Sequence, residues 1–213
     1  MEEYGFSRRV ISDYDANANR YRVCGLDRRR ILASIPASQE HFREQLMSFT
    51  MYDASIPPMI RTLQNLSKIL DKAIAQAAAD KIDLATLLDA RLAPDMFPFT
   101  RQIQIATDAA KGAAARLAGQ EPPSFPDTET SFPELKARIA KTIAFLQGVK
   151  AEQLAGSEDR EIKIVTPKMK LELNGRDFLT GHALPNFYFH VTTAYGLLRQ
   201  KGIQIGKKDY LGG

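Results

Sequence analysis

Cysteine is almost absent from this sequence. Cys24 is the only one in 213 residues. That excludes an internal disulfide framework and any cysteine-rich zinc module, and a reducing, cytoplasmic setting is the expectation. Long apolar runs are also missing. None approaches the ~18 residues a membrane helix needs, so neither a spanning segment nor a membrane partner is expected. The opening Met1-Glu2-Glu3-Tyr4 has no basic stretch leading into an apolar one, so no secretory signal is read there. Nor does an apolar region follow Arg8-Arg9. Charge of one sign barely dominates: 29 basic against 25 acidic residues leave a net +4. That is too weak to argue for nucleic acid as a partner. The strings GxGxxG, GxxxxGKS/T and GxSxG do not occur, and neither does HxxxH or HExxH. A phosphate loop, a nucleophile elbow and a local zinc pair are therefore not offered.

The composition that is present changes near residue 46. Residues 1–46 hold eight arginines and no lysine, whereas residues 47–213 hold thirteen lysines and eight arginines. The first segment has no sustained apolar period. Three expectations compete for it: a disordered basic tail, a functional arm, or translated sequence ahead of a true initiator at Met47. The last is favoured, because Arg43-Glu44 can be encoded by a purine-rich ribosome-binding sequence just upstream of Met47. The expected organisation is an N-terminal extension over 1–46 and one domain over 47–213.

That domain reads as helices. Ile56, Met59, Ile60, Leu63, Leu66, Leu70, Ala73, Ile74 and Ala77 recur at three- and four-residue steps, which predicts a helix over about 55–79. Asp53 and Ser55 are its N-cap candidates. A short helical piece follows at Asp83–Arg91. A second long helix is expected over roughly 98–118, with Phe99, Ile103, Ala106, Ala110, Ala113 and Leu117 inward. Its small residues would let a neighbour approach closely. The capping box Ser131-Phe132-Pro133-Glu134 opens a third, about 132–154. Residues 161–180 alternate apolar and charged side chains, and Asn174-Gly175 reads as a two-residue hairpin turn. A fourth helix is expected from Pro185 to about 201. Four amphipathic helices with an inserted ribbon predict an all-α four-helix bundle.

Candidate chemistry is sparse. His190 stands in phase with Phe187 and Ala194, at the edge of the inward face, and reads either as a core histidine hydrogen-bonded to a neighbouring helix or as a ligand-contacting or catalytic residue. His182 precedes Pro185 and reads as a loop or capping residue. Asn186-Phe187-Tyr188-Phe189-His190 is the densest aromatic stretch in the chain. It is either a core-filling face or an aromatic-lined pocket with Asn186 and His190 as its polar points. Gln102 borders the inward stripe of the second helix. Asp108 phases outward and reads as solvated, and Asp95 reads as a possible cap. The ribbon lysines read as its solvated face.

Several strings are familiar: Met51-Tyr52-Asp53-Ala54-Ser55-Ile56-Pro57, Asp95-Met96-Phe97-Pro98-Phe99-Thr100-Arg101-Gln102, Ala113–Gly119 and Leu184–Tyr195, continued by Leu198-Arg199 and Gly206-Lys207. Together they resemble the bacterial domain-of-unknown-function family nineteen-ninety-three, within the DinB/YfiT-like four-helix-bundle superfamily. The resemblance implies a bundle whose members often hold a divalent metal through three histidines, one on the second helix and an HxxxH pair on the fourth. Several such relatives act as thiol-dependent transferases or metal-dependent hydrolases. His190 matches the second histidine of the pair, Asn186 stands where the first would be, and the second helix has none. The triad is incomplete, so no metal site is assigned and the cofactor is unknown.

The expected function is therefore a small-ligand-binding or accessory protein without a full metal triad, its pocket bordered by Gln102, Asn186, Tyr188 and His190. The alternative is a thiol-dependent transferase or hydrolase using His190 as catalytic general base or as sole histidine ligand. A small molecule and a second copy in a homodimer are the partners considered.

Overall fold

The computed structural model describes residues 14–15, 20–21, 49–166 and 169–213. The expectations for residues 1–46 lie outside the described residues, apart from two short strands. There, β1 (Tyr14–Asp15) and β2 (Arg20–Tyr21) pair antiparallel, Tyr14 opposite Tyr21. Chain contacts divide into two units, Met1–Phe49 and Thr50–Gly213. The second contains everything that follows.

Helix α1 spans Met51–Asp80. Its N-cap is Thr50, one of the residues suited to that place, rather than Asp53 or Ser55. Thr50 Oγ1 accepts from the Asp53 backbone N–H at 3.1 Å, and Asp53 Oδ2 accepts from the Thr50 N–H at 3.1 Å. Asp53 is thus the far half of a capping box. Ser55 is wholly buried and donates its hydroxyl to the Met51 carbonyl. Lys81, in the left-handed region at φ 57°, ends the helix. Most of the predicted stripe is buried, at Ile56, Met59, Leu63, Leu66, Leu70, Ala73 and Ala77, whereas Ile60 and Ile74 are only partly covered and Ile69, outside the pattern, is buried.

A short α2 (Leu84–Leu88) precedes α3 (Phe99–Leu117), and α4 covers Phe132–Gln147. The third long helix is therefore shorter than the pattern predicts. The chain leaves it at Gly148, a poor helix former, and turns so that Val149 and Leu154 are buried. Two 3₁₀ turns follow, Ala151–Leu154 and Ser157–Asp159.

Strands β3 (Glu161–Thr166) and β4 (Met169–Asn174) form an antiparallel ribbon in which Ile164 faces Leu171. Thr166 pairs with Met169 and Glu161 with Asn174, so Asn174-Gly175 stands at the open end of the ribbon and is not its turn. Asn174 instead caps a helix: its Oδ1 accepts from the Asp177 N–H at 2.8 Å. Asparagine suits either role, and the strand register decides between them.

The last long helix begins there, well before Pro185. It runs as α5 (Gly175–Phe178), one wide π turn (Leu179–Ala183) and α6 (Leu184–Gln200). Within the π turn the Leu184 N–H reaches back to the Leu179 carbonyl. A proline ring clashes with the carbonyl four residues earlier in a regular helix, and the wide turn relieves that clash at Pro185. His182 therefore lies in a helical turn, not a loop, with its ring stacked on Phe178 at 5.9 Å. The tail buries Ile203 and Ile205 and closes with α7 (Lys207–Leu211).

The four long helices pack in a ring: α1 on α4 and α6, and α3 on α4 and α6. The α3–α6 contact is the most extensive between helices. To the common core α3 contributes Ala106, Ala110, Ala113 and Ala114, and α6 contributes Phe187, Val191, Ala194 and Leu198, all buried. Each fully buried Leu, Ile, Val or Phe contributes about 1.5–3 kcal/mol, so this seam is a large part of the stability. It also fixes where α3 and α6 meet at their polar ends.

Candidate functional site at the α3–α6 seam

Gln102 sits in the first turn of α3 and His190 mid-way along α6. Both are buried, at 1% and 8% exposure. The Gln102 side chain is held at two points. Its amide Nε2 donates to the Phe97 backbone carbonyl at 2.9 Å, and its Oε1 lies 2.6 Å from His190 Nδ1. A carbonyl oxygen only accepts. The amide nitrogen must therefore face Phe97, the amide oxygen must face His190, and Nδ1 must carry the proton. In a neutral imidazole that leaves Nε2 with its lone pair.

Burial pushes the His190 pKa down, and the nearby Arg101 guanidinium adds to the effect. The imidazole thus stays neutral at physiological pH. Arg101 itself pairs with Asp127, bonds Gln104 Oε1 at 3.1 Å and lies 5.9 Å from the centre of the Phe97 ring. The Phe189 ring meets the His190 ring edge-on at 5.2 Å. Phe97 and Phe189 are both more than half exposed. A large apolar side chain open to solvent thus lies against the buried histidine, and a second lies against the neighbouring Arg101.

The other sequence candidates fall elsewhere. Asn186 is one turn before His190 on α6 and half-buried. Tyr188 points away, toward α1 and α7, where Thr62 bonds its hydroxyl against a pKa that burial pushes up and the neighbouring Tyr210 raises further. Asp95 is exposed in the turn before α3, and Pro98 occupies the cap position. The structure thus joins Gln102 to His190, keeps Asn186 near, and separates Tyr188.

The metal triad of the superfamily does not fit these residues. Both polar atoms of Gln102 are committed to hydrogen bonds. His190 Nε2 and the Asn186 amide oxygen are then the donors left at matching places, and an amide oxygen is a poor partner for a transition metal beside imidazole. Zinc takes at least three protein ligands. No group of three His, Cys, Asp or Glu converges among the described residues.

A second polar cluster was not singled out by the sequence. Arg138 of α4 is 3% exposed. Its guanidinium meets Asp108 at 2.7 Å, Asp127 at 3.0 Å and Glu129 at 3.0 Å, and its Nε donates to Thr107 Oγ1 at 2.7 Å. Asp108, expected to be solvated, instead clamps Arg138 and Lys111, the latter at 2.8 Å. The outward phase was right, but the loop over residues 120–130 folds across that face. Arg138 also bonds the Pro126 carbonyl, so this loop is tied to both helices. The available signal was a charged residue on the inward stripe of α4, between Leu135 and Thr142. A shallow groove of about 290 Å³ adjoins the cluster, lined by Phe125, Pro126, Thr128, Glu129, Arg138 and Lys141 among others. Neither Gln102 nor His190 lines it.

A ring of four helices with an inserted ribbon and a buried histidine at the α3–α6 seam is the architecture of a DinB-like protein. The chain belongs to the family described as Domain of unknown function (DUF1993), which it matches over residues 51–211. It is similar to a DinB family member protein from Shewanella denitrificans of known crystal structure. The two are 44% identical with a TM-score of 0.71, over 76% of this chain and 92% of that one. Comparison with curated proteins gives no match. Among the described residues no helix is long and apolar enough to cross a membrane.

Proposed function

We propose that this chain is a small-ligand-binding or accessory protein of the cytoplasm, with its ligand site at His190 and without a full metal triad. The observation that supports this most is the Gln102–His190 hydrogen bond of 2.6 Å. It holds one imidazole in a fixed orientation at a helix seam, with the second ring nitrogen uncommitted. Seams between bundle helices are common places for ligands. The test is native mass spectrometry of small molecules that co-purify with the protein and with His190→Ala. A molecule carried by the unmodified chain and missing from the variant is the expected result. Identical spectra would count against it.

A second proposal is a thiol-dependent transferase or hydrolase with His190 as general base. It is favoured by the depressed pKa, which keeps the imidazole able to accept a proton at neutral pH. Turnover of a thiol or ester substrate that disappears in His190→Ala would support it.

A further inference from the structure

We propose that the His190 site takes an aromatic hydroxyl compound, a phenol, whose O–H donates to His190 Nε2, and that Gln102 is the positioning residue that keeps this nitrogen unprotonated. The proposal rests on the ligand-binding function proposed above and names the chemistry of that ligand.

Three observations converge. First, the direction of the hydrogen bonds leaves no choice of tautomer. The Phe97 carbonyl orients the Gln102 amide, and the Gln102 oxygen then requires the proton on Nδ1. The imidazole can offer an incoming group only an acceptor. Second, that acceptor is not sealed. Ser157 Oγ is the buried side-chain polar atom left without a partner among the described residues, so Nε2 of buried His190 is not one. No hydrogen bond engages Nε2 among the described residues either. Third, the Phe189 ring, 54% exposed, meets the His190 ring edge-on, and Phe97, whose carbonyl holds Gln102, has a 55% exposed ring lying against Arg101. They offer faces and edges to an aromatic body. Arg101, held near the Phe97 ring, disfavours a cationic ligand there and favours an electron-rich oxygen. A phenol meets all three requirements at once: a flat ring, a proton donor and no positive charge.

The test uses the full chain with isotope-labelled histidine and para-cresol, a phenol that stays protonated at neutral pH, as the probe. Long-range proton–nitrogen correlation spectra at neutral pH should show Nδ1 protonated and Nε2 bare. Para-cresol should shift the Nε2 resonance saturably. It should bind about tenfold more tightly than toluene, the same ring without the hydroxyl, as one well-placed hydrogen bond implies. Gln102→Leu, which keeps the volume but removes the acceptor, should lose that margin and show a mixture of tautomers. Gln102→Glu should convert the ring to imidazolium by giving it a carboxylate partner. A protonated Nε2 in the unmodified protein overturns the proposal. So does toluene binding as well as para-cresol, which would still leave a ligand site. If neither compound binds, and no molecule co-purifies, the ligand-binding function falls with it.

Discussion

Gly175 lies directly against Ser157. A Cβ built on Gly175 would stand 1.8 Å from the Ser157 carbonyl oxygen and 3.3 Å from Leu117 Cδ2. Glycine is needed at this position for close approach, not for a left-handed turn. The contact docks the start of the last long helix on the 3₁₀ turn and on the end of α3. Gly175→Ala should therefore cost at least the 1–3 kcal/mol typical of overpacking, because the obstacle is backbone and must move bodily. Asn174→Ala, which removes the adjacent cap, should cost about 0.5–2 kcal/mol. Urea denaturation measures both. An unchanged midpoint for Gly175→Ala would mean that the two segments are not in contact.

Leu63 is wholly buried in the middle of the α1 stripe. Leu63→Ala should cost about 2–5 kcal/mol, as lost transfer energy and a residual cavity add. A loss below about 0.5 kcal/mol, the range of surface changes, would show that the face is wrongly assigned.

Arg138→Leu should destabilise by about 3 kcal/mol or more, since it strands Glu129 and part of the charge on Asp108 and Asp127 without their partner. Glu129 also predicts a pH dependence. Burial works to raise its pKa, but bonds from Arg138 and Gln104 outweigh it and hold the carboxyl below its ordinary value. A carboxylate whose folded pKa is depressed contributes stability above its unfolded pKa, near 4.3. That contribution is lost as pH falls through the folded value. Melting temperature should thus drop on acidification below about pH 4.5, and Glu129→Gln should flatten that slope. A slope unaltered by the substitution would remove Glu129 from the account.

Zinc added to the tag-free protein should leave its melting temperature unchanged, because a weak site contributes little through mass action. Gln102→His combined with Asn186→His should create a zinc site measurable by calorimetry if α3 and α6 align as described. Stoichiometric metal in the unmodified protein, lost in His190→Ala, would reverse this expectation.

A chain starting at Met47 keeps Thr50 and Asp53, and so the whole cap of α1. It should show the same helicity and melting temperature as the full chain. A loss of several degrees would show that the preceding residues pack on the domain.

Much of the helical pattern was legible because it rests on local repetition. The α1 stripe, the alanine face of α3 and the Ser131 cap each follow from residues three or four apart. The boundaries were less legible where one residue suits two local roles. Asn174 serves equally as turn or cap, and Pro185 reads as a helix start unless a π turn precedes it. At the candidate site, His190 and Gln102 were each visible as polar residues beside an apolar face. Their pairing was not, because 88 residues separate them. Arg138 was missed for a related reason, since its acidic partners come from α3 and from a loop with no periodic signal.

The sequence by itself determined four amphipathic helices, a ribbon between the third and fourth, and the shortage of imidazoles that leaves the metal triad incomplete. These depend on composition and on spacing along one chain. Only the tertiary structure decided that Tyr188 turns away from His190, that Gln102 sets which nitrogen of His190 bears the proton, and that Asp108 is a clamp. Hydrogen-bond direction and charge pairing depend on which groups packing brings within about 3 Å, and that distance is set by how the helices dock.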